Sequence, residues 1–147
     1  MSFAKLAKPK MSCPLRLDQL DFWPWDAGDA EGALTVWTEA LALLPEPRRR
    51  WEALLWLNAS IGDAERERGN IEAALAAFEE AAASAGMEGV TNPFVLWGIG
   101  ACLYDLGRVE EATDPLPRAY MLEGEEIFED SDPRYLEHLR QRGLIDR

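Results

Sequence analysis

The chain has 147 residues, a size suited to one domain, and its 48% hydrophobic residues, six of them Trp, can supply a core for that size. Fifteen Lys and Arg against 27 Asp and Glu give a net charge of -12, which repels phosphate backbones and anionic lipid, so nucleic acid and membrane are excluded as main partners. The imbalance is uneven: residues 1–16 hold Lys5, Lys8, Lys10 and Arg16 with no acid, and from residue 17 onward 11 basic groups face 27 acidic ones. One domain over 1–147 is expected, with 1–16 as a flexible basic segment.

Cys13 and Cys102 are the only cysteines, with no spacing that suggests a metal knuckle or redox motif. The N-terminus lacks the apolar run of a signal peptide, and no stretch approaches the ~18 apolar residues of a membrane span. These features imply a cytoplasmic protein.

In chain order, three segments share one pattern: GDAEGALTVWTEALALLPEP from Gly28, GNIEAALAAFEEAAAS from Gly69 and GRVEEATDPLPRAY from Gly107. Each opens on a glycine suited to a left-handed helix end. A small residue follows (Ala33, Ala74, Ala112), then a larger apolar one (Trp37, Phe78, Leu116), then alanine (Ala40, Ala81, Ala119). Steps of 41 and 38 residues between the glycines predict stacked helical hairpins, because one hairpin cannot bury both apolar stripes alone.

The partner helices lie upstream of each glycine. Over 47–68, Pro47 suits a first turn, Leu54, Leu57, Ile61 and Ala64 form an inner stripe, and Gly62 permits close approach. Over 92–106, Asn92 caps, Pro93 opens, Leu96, Ile99, Leu103 and Leu106 form the stripe, and Gly100 repeats Gly62. Pro24 disrupts the place of a helix before the first unit, and Pro115 and Pro117 predict a break near Asp114. Downstream, Asp132-Pro133 signals a last helix whose Tyr135, Leu136 and Leu139 form a capping stripe.

Glycine at the close contact, glycine at the turn, then small, large, small resembles the tetratricopeptide repeat (TPR), over 51–84 and 93–122 and in part over 28–46. Asn58 and Leu96 stand at the usual first-helix aromatic positions, and Glu65 and Leu103 replace the usual tyrosine. The fold expected is all-α: antiparallel hairpins stacked as a short TPR-like superhelix with a C-terminal capping helix. A narrower resemblance lies in LLPEPRRRWEALLWLNASIGDAERERGNIEAALAAFEEA, TNPFVLWGIGACLYDLGRVEEA and RAYMLEGEEIFEDSDPRYLEHL. In this order they are similar to small bacterial TPR-type proteins encoded beside polymorphic toxins and taken to be immunity proteins. That resemblance implies binding and neutralisation of a toxin.

No catalytic constellation accompanies the only histidine, His138, which is expected on a charged outer face beside Glu137 and Arg140. Neither catalysis nor a cofactor is expected. Asp130 and Asp132 lack the spacing and terminal glutamate of a calcium loop, and Arg48-Arg49-Arg50 is too short and isolated a run for nucleic acid. Binding is better supported. In the TPR register Trp56, Ser60, Asp63, Arg66 and Glu67, then Phe94, Trp97, Ala101, Tyr104 and Asp105, face the groove. The alternative is that these aromatics pack under the N-terminal segment or the tail helix. A second acidic surface is the loop carrying Glu125, Glu126, Glu129 and Asp130, which Ile127 and Phe128 would pin to the body. Both surfaces suit a protein partner, and the charge suits a basic toxin domain. The alternative is a TPR adaptor or chaperone that holds a peptide segment of a secreted or assembled partner; the second-helix face of Glu72, Glu79 and Glu80 is a further candidate surface.

Overall fold

The computed structural model describes residues 30–44, 46, 52–83, 92–129 and 131–145. The expectations placed on residues 1–16, Pro24, Gly28, Pro47, Arg48 to Arg50, Asp130 and the side chain of Ala33 lie outside the described residues. Every described element is helical: α1 (Ala30–Leu43), α2 (Glu52–Glu67), α3 (Ile71–Ala82), α4 (Pro93–Asp105), α5 (Val109–Ala112), α6 (Pro115–Glu123), a 3-10 turn (Gly124–Phe128) and α7 (Arg134–Gln141).

The helix boundaries follow from local chemistry. Asn92 accepts hydrogen bonds from the amides of Phe94 and Val95 at 3.0 and 3.1 Å, and Pro93 fills the first turn, where its missing N–H costs nothing. At the far end of α2, Gly69 takes φ 84, so that the Asn70 amide donates to Glu65 O and the Gly69 amide to Arg66 O. The end of α4 repeats this arrangement at Gly107 (φ 83), where the Arg108 amide donates to Leu103 O and the Gly107 amide to Tyr104 O. A left-handed residue thus ends each first helix, satisfies two orphan carbonyls and turns the chain back within two residues.

Consecutive elements pack on one another: α1 on α2, α2 on α3, α3 on α4, and α4 on α5 and α6, while α2 also touches α4. Glycines set the seams. A Cβ at Gly62 would lie 2.7 Å from the Phe78 ring, and one at Gly98 would lie 2.5 Å from the same ring on its other edge. Phe78 of α3 therefore sits in a slot between α2 and α4, open only because both walls lack a side chain. At Gly100 a Cβ would run into Leu116, so the second seam repeats the first.

The break expected near Asp114 is present. Pro115 has no N–H to continue the ladder, α5 ends at Ala112, and α6 restarts with Pro115 in its first turn. Ala112, Pro115, Leu116 and Ala119 are all buried, so each piece keeps its inner face. Asp132 opens the tail, accepting from the Arg134 amide at 2.9 Å. Tyr135 and Leu139 of α7 then enter the core.

Candidate protein-binding surfaces

Two faces of the molecule hold the residues singled out as binding candidates, and the structure treats them differently. On the face shared by α2 and α4, Phe94 and Trp97 are buried and stacked, with ring centroids 5.7 Å apart and planes at 25°. Phe94 also meets Phe78 edge-on at 5.8 Å, which links this face to the glycine slot. Trp56 is half-buried against the same core.

Arg66 joins the two hairpins to the tail. Its guanidinium lies 4.8 Å from the centroid of the Trp97 ring, and Nη2 donates to Asp105 Oδ2 at 3.2 Å and to Tyr135 Oη at 2.9 Å. The Tyr135 hydroxyl in turn donates to Asp105, its oxygen 2.8 Å from Oδ1. The Tyr135 ring packs edge-on against Tyr104 at 5.4 Å, and His138 does the same one turn later. Helix α7 thus covers Tyr104, and Trp97, with no exposed surface, is not offered to solvent. Of the expected groove residues, Glu67 and Asp105 are exposed on this face.

Burial shifts the titrating groups here. Asp63 is 1% exposed, one of its carboxylate oxygens has no hydrogen-bond partner, and burial, followed by repulsion from Glu67, lifts its pKa to about 7. Burial also pushes the Tyr135 phenol upward and the Cys102 thiol up to about 12, so the thiol stays protonated and unreactive near neutral pH. His138 departs from expectation: it is buried, and burial and then Arg142 lower its pKa. Its position three residues after Tyr135 puts it on the inner stripe of a helix only eight residues long. Among the described residues no group of three or more His, Cys, Asp or Glu is arranged to hold a metal ion. No helix among them is long and apolar enough to cross a membrane.

The second face is the ridge from Met121 to Glu129. Ile127 and Phe128 are buried, Phe128 lies 6.5 Å from the Tyr120 ring, and Gly124 takes φ 71 where α6 passes into the 3-10 turn. The pinning expected from sequence is present, and it presents Glu125, Glu126 and Glu129 outward. Glu125 accepts from Arg140 of α7 at 3.1 Å. Beside these acids stand two exposed apolar side chains, Met121 at 83% and Leu122 at 51%. Neither was singled out as a candidate by its sequence pattern. The available signal is that both fall off the Ala112, Leu116, Ala119 stripe that faces the core.

Neither a family model, a curated protein nor a solved structure matches the chain.

Proposed function

We propose that the chain is a TPR-like protein-binding module of the toxin-immunity type, and that it neutralises a basic protein domain by docking it on the ridge from Met121 to Glu129. The observation that carries this reading is the pairing of exposed Met121 and Leu122 with outward carboxylates on a segment anchored by Ile127 and Phe128. Apolar side chains give contact area that water disfavours. The surrounding carboxylates steer a basic partner and select its orientation. Anchoring lowers the entropy lost on binding, because the backbone is already ordered. The hairpins, their repeated glycine seams and the tail helix fit a short TPR-like superhelix, and the acidic body adds long-range attraction.

The adaptor alternative calls for an open aromatic groove. Burial of Phe94 and Trp97 and the cover that α7 places on Tyr104 favour recognition of a folded surface over capture of an extended peptide. Co-expression tests the proposal: with the toxin encoded by the neighbouring gene, the chain restores growth of a sensitive cell. Full toxicity while both proteins are demonstrably expressed contradicts neutralisation.

A further inference from the structure

On the seam between α3 and α4 lies a furrow that plays no part in the ridge. One stretch of it is a cleft of 620 Å³ between Glu72, Ala76 and Glu79 of α3 and the Leu106–Arg108 turn. One turn further back along α4 a second cavity, of 270 Å³, opens over Leu96, Ile99 and Leu103, meets α3 at Ala82 and is walled on its far side by Pro115 and Arg118 of α6. The floor is thus the row of Leu96, Ile99 and Leu103 on α4, continued by Leu106 just past its end, with Leu96 and Leu103 buried as the inner stripe expected from sequence. Ile99 and Leu106 remain only half-buried.

The banks differ in charge. Helix α3 contributes Glu72, Glu79 and Glu80 and contains neither Lys nor Arg. On the opposite bank Arg108 pairs with Glu111 at 2.6 Å and Arg118 with Asp114 at 3.3 Å. Together the two cavities are lined by five carboxylates and two guanidiniums, so acids outnumber bases even though Arg108 also feels Glu79 across the cleft. The field over the apolar floor is therefore negative, strongest along α3.

We infer that this furrow is a docking site for one amphipathic helix of a partner protein, with an apolar face on the α4 floor and basic residues along the edge that meets α3. Leu96 and Leu106 are ten positions apart, about 15 Å at ~1.5 Å per residue, which matches roughly three turns of an incoming helix. The sign of the banks excludes an acidic helix. It also disfavours a second copy of this chain, whose tail arginines Arg134, Arg140 and Arg142 are already paired with Asp132, Glu125 and Glu110. The inference stands apart from neutralisation through the ridge.

Chemical-shift mapping on the full chain tests it. The probe is an 11-residue, end-blocked Lys/Leu peptide patterned as an amphipathic helix, and the control has the same composition scrambled to lose its apolar face. The patterned peptide should move the amides of Leu75, Ala76, Leu103 and Leu106, and should bind more tightly than the scrambled one. Glu72→Lys combined with Glu79→Lys, both at exposed positions, should weaken binding about tenfold with the rest of the spectrum unchanged. Equal affinity for the two peptides, shifts centred on residues 121–129, or indifference to the double substitution would overturn the inference. So would furrow shifts that appear without peptide, either on raising the protein concentration or on removing residues 1–16, because the occupant would then be a second copy or the chain's own basic segment. Growth protection plays no part in this readout, so the furrow and the neutralisation reading can fail separately.

Discussion

The face built from α2 and α4 and the ridge after α6 both combine aromatic or apolar side chains with carboxylates, yet they end in opposite environments. On the first, Trp97 is stacked on Phe94, approached by Arg66 and buried. On the second, Met121 and Leu122 stand in solvent beside Glu125 and Glu126. What separates them is the use each makes of the tail. Helix α7 lays Tyr135 and His138 against Tyr104, whereas toward the ridge it extends Arg140 to Glu125. Composition identifies residues able to bind. Whether they bind a partner or their own chain depends on which segments the fold packs against them.

That contrast is broken most severely at Trp97. Replacing it with Ala leaves a large cavity beside Phe94 and should cost about 3–5 kcal/mol of folding stability, measured by denaturant unfolding. A loss confined to partner binding, with stability unchanged, would show that the ring serves recognition. Next comes the seam: Gly62→Leu forces a side chain into the Phe78 ring and should cost on the order of 1–3 kcal/mol, visible as a lowered melting temperature.

How much of this could be read beforehand depends on sequence distance. Asn92-Pro93, Gly69, Gly107 and the Pro115 break act within a few residues, so local rules place the helix ends. Gly62 and Gly100 were legible because the repeat aligns them. Gly98 was not, since its meaning depends on Phe78 wedging between two hairpins, a contact that crosses the repeat unit. The Arg66 hub joins residues 39 and 69 positions away, and no short-range pattern encodes it. On the ridge, the anchoring of Ile127 and Phe128 was legible from two apolar residues in an acidic run. The exposure of Met121 and Leu122 needed the register of a helix that restarts after a proline.

Asp63 supplies a test of comparable size with a defined pH dependence. Its folded pKa, about 7, lies above its ordinary value of 3.8. The folded state therefore holds a proton that the unfolded state releases, and the resulting stability is lost as pH rises toward and through 7. Asp63→Asn removes the buried carboxylate and should stabilise the fold at pH 8 by about 1–3 kcal/mol. The advantage should shrink as pH falls to 5, and melting curves at the two pH values check it. Tyr135→Phe is milder: it deletes the hydroxyl between Arg66 and Asp105 and should cost about 0.5–1.5 kcal/mol, with faster amide exchange in α7 as its local signature.

The smallest stability effect belongs to the ridge, where exposed substitutions should stay within about 0.5 kcal/mol of the parent. Their effect should appear in binding. Association kinetics of Glu126→Lys with Glu129→Lys against the basic domain proposed as partner, at low and at physiological ionic strength, is therefore the most direct measurement. The account predicts slower association with a flatter salt dependence at unchanged melting temperature. Association indistinguishable from the parent at both ionic strengths would contradict it.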